Sequence, residues 1–568
     1  MNIDTVAKAW ADNDPDAKTA AEVRALLAKG DSKELAERFG SALEFGTAGL
    51  RGVIGGGTNR MNRAVVRRTT LGLARYLKAT VPDVARRGVV VGRDGRHMSL
   101  ELAHDTACVL AAEGILAHVF VDLAPTPLTA FAVSHLNAAA GVMVTASHNP
   151  PEYNGYKVYW VNGAQIISPH DSGIAKAIDT VGPAKEVLLL AEDEARSRGL
   201  WFDVAPAVTR SYLDAILALR PTKLTRGLNI VYTAMHGVGG ALAKQVFAEA
   251  GFTAFECVRE QQAPDADFPT VRFPNPEEPG AMDLSTALTA KLNADLALAN
   301  DPDADRLAVM ARDSSGALRM LTGNEVGVLL GHFLLTQQKT KNPLVVTTIV
   351  SSAQLKAIAG ALGAQYAETL TGFKWIANRA MDALKQGVNF VMGYEEALGY
   401  SVGDVVRDKD GIGSALVVAD MAAWCKSRGT TLLGYLEEVQ RAHGLFVAKQ
   451  FNATLPGATG AAAIKAVMEA FRAKPATVIG EFTVTHTNDY LGETPLPKSN
   501  VIAYELEGGS RVTLRPSGTE PKIKFYFELG ETLAVGEALA GAKVRATARL
   551  QALEQAFLVL AHARGLPK

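Results

Sequence analysis

Cysteine is scarce in this chain: Cys108, Cys257 and Cys425 are the only three among 568 residues, they lie far apart, and no C-x-x-C pair occurs. The odd total and wide spacing exclude a disulfide framework and a thiolate zinc site, and they fit a reducing, cytoplasmic compartment. An excess of charge of one sign is missing as well. Lys and Arg number 58 and Asp and Glu 59, a formal net charge of −1. No global positive field is therefore available for nucleic acid, and any bound anion must be gripped by local cations or backbone N–H groups. Long apolar runs are absent too. The stretch 107–121 is broken by Glu113 and Gly114, and the segment Met1–Ala20 shows no basic region leading into an apolar one, so neither a membrane span nor an export signal is expected. No G-x-S-x-G surrounds a serine and no G-x-x-x-x-G-K-[ST] loop occurs, which argues against an elbow-type serine hydrolase and an ATP-binding P-loop. What remains, 48% hydrophobic and 21% charged residues, is the balance of an ordinary globular chain, and 568 residues predict roughly four domains.

Three times the hydrophobic pattern runs β-α-β-α-β. From Gly88, GVVVG reads as a buried strand; a helix opened by Ser99 follows, then AHVFV, the helical TPLTAFAVSHL, and AGVMVT ending at Thr145. The order repeats from Leu228 to Asp301, and again from Val345 to about Glu395. Strands that are apolar throughout and alternate with helices predict an α/β fold with mixed, mainly parallel sheets covered on both faces. The tail differs. EFTVTHT, NVIAYELEG, SRVTLRP and IKFYFELG are β-rich with short turns such as Gly508-Gly509, and an Ala-rich helix is expected to about Ala563. This is the pattern of an α+β domain with an antiparallel sheet. The expected domains are 1–205, 206–321, 322–445 and 446–568, while residues 1–45 read as helical and polar with no assigned chemistry.

In open parallel sheets ligands gather at the carboxyl ends of strands, and each repeat ends in an unusual segment. After AGVMVT comes Ala146-Ser147-His148-Asn149-Pro150-Pro151, which holds a hydroxyl on a turn that can continue neither strand nor helix. A turn serine capping a local N–H would look the same. After LALAND comes Asp301-Pro302-Asp303-Ala304-Asp305-Arg306, whose three carboxylates repel one another unless a hard cation sits among them. Oxygen ligands alone favour Mg²⁺ over zinc. An EF-hand fails on spacing, because Arg306 and Arg312 stand where its Gly and Glu belong; a solvated acidic loop is the plainer reading. The third repeat ends in Gly393-Tyr394-Glu395-Glu396-Ala397-Leu398-Gly399, carboxylates suited to accepting hydrogen bonds from sugar hydroxyls. The tail supplies Arg515-Pro516-Ser517-Gly518-Thr519-Glu520-Pro521-Lys522, an Arg, two hydroxyls and a glycine that can cradle a phosphate. Two further glycine-rich turns, Phe45–Gly52 ending in Arg51-Gly52 and Gly92-Arg93-Asp94-Gly95-Arg96, precede these.

Nucleophile, acidic loop, polyol loop and phosphate cradle fall in chain order, one to each domain, and the constellation resembles the α-D-phosphohexomutase superfamily. TASHNP matches that family's phosphoserine loop, DPDADR its magnesium loop, GYEEALG its sugar-binding loop and RPSGTEPK its phosphate-binding loop. The resemblance implies four domains around a central cleft. It implies that Ser147 carries a phosphoryl group, and that Asp301, Asp303 and Asp305, with Ser147, hold one Mg²⁺ per chain. Arg306 would stand beside the transferring phosphoryl, His148 would position the nucleophile, Lys157 would act as general acid/base unless it is a plain surface lysine, and Arg51 would add a second catalytic cation. Substrate would be bound by Thr47, Arg51, Lys374, Glu395, Ala397, Arg407, Lys409, Arg515, Ser517, Gly518 and Thr519. The implied activity interconverts glucose 1-phosphate and glucose 6-phosphate through glucose 1,6-bisphosphate, in a protein that is a monomer or homodimer and partners small phosphosugars rather than nucleic acid or membrane. Ala397 replaces the serine typical of glucose-dedicated members. That change points toward the subgroup with phosphopentomutase and glucose 1,6-bisphosphate synthase activities. A phosphomannomutase, or a sugar-phosphate-binding protein that turns nothing over, would also carry such motifs.

Overall fold

The computed structural model describes residues 2–46, 49–225, 227–455, 457–517, 522–534 and 536–567. These form two compact units, one of Met1–Leu321 with Leu398–Gly429, the other of Thr322–Ala397 with Thr430–Lys568.

The first unit opens with helices Ile3–Asp12, Ala17–Lys29 and Ser32–Phe39, capped by Asn2, Asp16 and Asp31. Their apolar faces close on Ala7, Ala11, Val23, Leu35 and Phe39, so the polar stretch read as helical has a small core of its own. Six strands follow: β1 (Leu50–Val53), β2 (Val89–Arg93), β3 (Ala117–Val119), β4 (Ala140–Val144), β5 (Tyr153–Tyr159) and β6 (Trp201–Asp203). They pair in the order β1-β5-β4-β2-β3-β6, parallel from β4 to β6 and antiparallel from β1 to β4. The Val and Ala residues of β2 and β4 are buried because helices cover both faces. The helix expected to open at Ser99 does begin there, but Met98 is its cap residue and the Ser99 hydroxyl is bonded to Asp94. A second sheet of β7 (Asn229–Thr233), β8 (Ala254–Cys257), β9 (Leu296–Ala299), β10 (Ala308–Arg312) and β11 (Leu318–Met320) runs in the order β11-β10-β9-β7-β8, with an antiparallel edge on a parallel core.

In the second unit, β12 (Pro343–Thr348), β13 (Gln365–Thr369) and β14 (Asn389–Glu395) pair in parallel in the order β13-β12-β14. The next strand, β15 (Gly399–Val402), and the helix Gly411–Ser427 belong to the first unit. The chain then returns to the second unit with β16 (Leu445–Thr454), β17 (Val478–Ile479), β18 (Phe482–Asp489), β19 (Ile502–Leu506), β20 (Arg511–Pro516) and β21 (Lys522–Glu531). These six make one antiparallel sheet, β16-β21-β20-β19-β18-β17. A 25-residue helix, Leu539–Ala563, lays Leu539, Ala542, Ala546, Leu550, Leu553, Phe557 and Ala561 on it, a stripe at three- and four-residue spacing. The fold is thus three α/β domains with mixed sheets and a C-terminal domain with an antiparallel sheet.

Candidate active site

Ser147 follows β4 in a left-handed backbone conformation, φ 55°, which a non-glycine residue adopts only when its surroundings hold it there. Two groups do so. Thr145 Oγ1 accepts the Ser147 N–H at 2.8 Å. Arg96, buried, donates to the carbonyls of Ser147 at 2.6 Å, Pro150 at 2.8 Å and Tyr153 at 3.2 Å, and also to that of Asn149. Asp94 in turn accepts the Arg96 N–H at 3.0 Å and the Ser99 hydroxyl at 2.7 Å. Because Thr145 caps the local N–H, the Ser147 hydroxyl is not used for that purpose. It donates to Asp301 Oδ2 at 2.9 Å and lies 3.2 Å from His148 Nδ1. Burial, then the positive charge of Arg306 and Arg51, hold the His148 imidazole well below its ordinary range, and so neutral.

The acidic loop follows β9. Tyr232 donates to Asn300 Oδ1 at 2.7 Å, and Asn300 Nδ2 donates to the Arg306 carbonyl at 2.6 Å, which closes the loop at its base. Gly411 packs under it so closely that a Cβ there would meet the Arg306 carbonyl oxygen at 2.3 Å. The carboxylates of Asp301, Asp303 and Asp305 are buried and present oxygens that all lie within 4.8 Å of one another. Lys157, on β5, is not a surface lysine: its side chain is 1% exposed, and Nζ reaches Asp303 Oδ2 at 2.7 Å and Asp305 Oδ2 at 2.9 Å. Thr126 donates to Asp303 Oδ2 at 2.6 Å, and Lys409 Nζ lies 3.2 Å from Asp305 Oδ2. Burial opposes ionisation of Asp303 and Asp305, yet Lys157, with Lys409 for Asp305, holds both below the usual carboxylate range. Asp301 goes the other way, pushed well up by burial and then by Asp303 and Asp305. With their Oδ2 atoms committed, Asp303 Oδ1 and Asp305 Oδ1 are buried and accept no hydrogen bond among the described residues. Converging hard oxygen acceptors left over in this way suit a divalent cation such as Mg²⁺.

Arg51 and Arg306 join this cluster, while Arg407 is tied to the hairpin that follows Lys157. Arg51, on β1, donates to Asn149 Oδ1 at 3.4 Å; β1 reaches the site because Gly155 lets β5 lie against it, and a Cβ there would meet the Thr145 and Leu50 carbonyl oxygens at 2.4 and 2.7 Å. Arg306 donates its backbone N–H to Asp301 Oδ1 at 3.0 Å, and its guanidinium lies 3.6 Å from Glu277. Arg407 donates to the Asn162 carbonyl at 2.8 Å.

The second unit carries the rest of the expected residues. Glu395, at the end of β14, accepts the Gly372 N–H at 2.7 Å, joining the polyol loop to the turn that bears Lys374. Lys374 Nζ lies 6.0 Å from the Trp375 ring centre. Glu396 accepts from Ser351 Oγ at 3.1 Å, and Ala397 ends the segment. Arg515 stands near the end of β20, where its charge faces the Tyr526 phenol, and Ser517 N–H donates to the Lys522 carbonyl at 2.7 Å. Thr47, Gly518 and Thr519 lie outside the described residues. Arg96, Asp94, Thr126 and Asn300 received no role from the sequence. Only the first two left a signal there, in the Gly92–Arg96 turn.

Comparison with known proteins gives the family. The family models for phosphoglucomutase/phosphomannomutase match in order: alpha/beta/alpha domain I over residues 42–185, domain II over 210–316, domain III over 322–442 and the C-terminal domain over 452–540. The human protein named phosphopentomutase is 37% identical over 565 residues, covering 93% of this chain and 91% of its own. The human protein named glucose 1,6-bisphosphate synthase is 37% identical over 569 residues, covering 93% and 90%. A solved structure of a phosphoglucomutase/phosphomannomutase family protein from Burkholderia thailandensis shares the fold at 23% identity, with a TM-score of 0.65 over 90% of this chain and 97% of that one. The chain belongs to the phosphoglucomutase/phosphomannomutase family of the α-D-phosphohexomutase superfamily and is an enzyme of the phosphotransferase–isomerase type.

Proposed function

We propose that this enzyme interconverts sugar 1-phosphates and their terminal phosphates through a phosphorylated Ser147. The observation that carries the reading is the buried Ser147 hydroxyl 2.9 Å from an aspartate of a three-carboxylate cluster. In the first half-reaction the terminal hydroxyl oxygen of the substrate bonds to phosphorus as the bond from phosphorus to Ser147 Oγ breaks; the hydroxyl proton ends on Ser147 Oγ by way of solvent, and a sugar bisphosphate results. In the second, Ser147 Oγ bonds to the C1 phosphorus as the bond from phosphorus to the C1 oxygen breaks, the Ser147 proton ends on the C1 oxygen by way of solvent, and the terminal phosphate leaves with the sugar. Arg96 holds the loop so that Oγ stays at one position through both steps. Arg51, Arg306, Lys157 and Lys409 supply positive charge to the transferring group. Asp301, Asp303 and Asp305 would hold Mg²⁺, which when bound would supply Lewis-acid compensation for phosphoryl charge. In the second unit, Glu395 accepts from sugar hydroxyls and Arg515 with Ser517 binds the phosphate that is not reacting, with Lys374 adding charge. Arg407 serves through its place beside Lys409.

For the sugar, the sequence alone puts glucose first. Ala397 offers no hydroxyl to a hexose, and a relative 37% identical over 93% of the chain is named phosphopentomutase. We therefore place ribose or deoxyribose 1-phosphate first and glucose 1-phosphate second, with glucose 1,6-bisphosphate as the priming phosphoryl donor. The test is kcat/KM for ribose, glucose and mannose 1-phosphates with Mg²⁺ and catalytic glucose 1,6-bisphosphate. A pentose at least about 10-fold above glucose, a difference of roughly 1.4 kcal/mol in transition-state binding, is expected. Glucose leading would restore the hexose assignment, and bisphosphate formation without net isomerisation would make the enzyme a synthase.

A further inference from the structure

The hairpin that follows Lys157 grips the segment that carries Lys409. β5 ends at Tyr159, the chain turns through Trp160–Ala164, and Gln165 comes back opposite Tyr159. Three groups of this hairpin meet two consecutive residues. The Tyr159 hydroxyl donates to Asp408 Oδ2 at 2.8 Å, Gln165 Nε2 donates to the same oxygen at 2.7 Å, and the Asn162 carbonyl accepts from the Arg407 guanidinium at 2.8 Å. The second carboxylate oxygen of Asp408 faces Lys409: Oδ1 accepts its backbone N–H at 2.8 Å and lies 3.4 Å from its Nζ. Nζ then reaches Asp305 Oδ2 at 3.2 Å, the same oxygen that Lys157 contacts at 2.9 Å. Tyr159, Gln165 and Asp408 are all buried. Burial and the charge of Asp408 push the Tyr159 phenol well up, so it remains a donor.

Two ammonium groups at one carboxylate oxygen repel each other, so attraction to Asp305 does not by itself settle where Lys409 rests. We infer that Tyr159, Gln165 and Asp408 are positioning residues that fix the Lys409 ammonium at Asp305 for phosphoryl transfer. The inference deepens the phosphomutase reading and rests on it. One strand thereby sets both cations: β5 carries Lys157 itself, and the hairpin at its end holds the carboxylate that aims Lys409. Tyr159 and Gln165 make their hydrogen bonds to Asp408 and not to the cluster, so each acts through that carboxylate.

The test uses the full-length chain with Tyr159→Phe, Gln165→Met, Lys409→Met and the combinations of the first two with the third. Tyr159→Phe removes a single oxygen and keeps the packing of the ring. Each of the first two lowers kcat by about 10-fold, as expected for a catalytic group displaced by a fraction of an ångström, with KM within about twofold of wild type. In the Lys409→Met background neither lowers kcat further. Losses that multiply with that of Lys409→Met, or a kcat untouched by Tyr159→Phe and Gln165→Met, would overturn the inference. A second readout is independent of turnover: the rate of reductive methylation of the Lys409 amine by formaldehyde and cyanoborohydride, followed by peptide mass spectrometry. It rises several-fold in Tyr159→Phe and Gln165→Met, and an unchanged rate in both overturns the positioning role. Faster labelling in a protein that isomerises no sugar phosphate would instead uphold the positioning and reject the mutase reading.

Discussion

A carboxylate taken out of water must meet either a cation or a proton, and the aspartates of the first unit show both outcomes. Asp303 and Asp305 meet Lys157, while their Oδ1 atoms stay unpaired among the described residues. Asp303→Asn removes charge from the proposed metal loop without changing its shape. Turnover is expected to fall by about 100-fold or more at fixed Mg²⁺, the scale of losing several kcal/mol of charge compensation. Melting should shift little, because the repulsion of Asp301 and Asp305 is relieved as one contact to Lys157 weakens. Wild-type turnover would contradict the metal assignment. Asp410 leans the other way and keeps its proton to a higher pH than a free carboxylate. It caps the helix Gly411–Ser427 through the N–H groups of Ile412 and Gly413 and accepts the Tyr212 hydroxyl, but burial raises its pKa to about 6. A folded-state pKa above the unfolded value means that the folded protein keeps the proton longer. This group's contribution to stability is full below about pH 4 and is lost as pH rises through about 6, a loss of about 3 kcal/mol by pH 7. Asp410→Asn keeps the capping oxygen and cannot ionise. Its melting temperature relative to wild type should climb between pH 4 and 7, and a difference independent of pH would contradict the buried-acid account.

Elements were legible where one face or both faces are apolar. β2, β4, β7, β9 and β12 are apolar over most of their length, and the sequence pattern finds each of them. β1 and β5 escape it. LRGV and YNGYKVY mix Arg, Gly, Asn and Lys into the strand, because these two carry Arg51 and Lys157 to the site: Lys157 is buried against Asp303 and Asp305, Asn154 donates to the His97 carbonyl and the Ser99 hydroxyl, and Arg51 is half-buried beside Asn149. Also missed were β10 and β11, which form the antiparallel edge of the second sheet and fall outside the β-α-β-α-β repeat. In the C-terminal domain, β18 to β21 and the end of the last helix at Ala563 were readable. β16 was not, since LFVAKQFNAT exposes alternate polar residues along an edge of the sheet. That domain depends on the helix Leu539–Ala563. Phe557 is fully buried, with ring centres 5.3 Å from Phe471, 5.5 Å from Phe525 and 5.7 Å from Phe527. Phe557→Ala should cost about 3–5 kcal/mol in the urea unfolding of the second unit. A loss below about 1 kcal/mol would mean that the sheet holds without its helix.

For the whole molecule, four motifs in chain order identified the superfamily, because Ser147, the three aspartates and the glycine-rich turns carry chemistry that tolerates few substitutes. Less legible was the layer behind them. Arg96 reaches Ser147 across 51 positions, Thr126 reaches Asp303 across 177 and Gln165 reaches Asp408 across 243, and no local pattern announces such pairs. Sugar preference was least legible, since it turns on a single change at Ala397 and on relatives whose names differ. Among the described residues no helix is long and apolar enough to cross a membrane, in line with the absence of long apolar runs. In the proposed reaction a phosphoryl group travels by way of Ser147. The most direct test of that route is the intact mass of the purified protein before and after incubation with glucose 1,6-bisphosphate and Mg²⁺, for wild type and Ser147→Ala. A species one phosphoryl group heavier is expected in wild type, mapped to the peptide containing Ser147 and discharged by a sugar 1-phosphate, with neither the species nor isomerase activity in Ser147→Ala. A variant lacking this hydroxyl that still isomerises sugar phosphates, or a wild-type phosphoryl group found on another residue, would contradict that route.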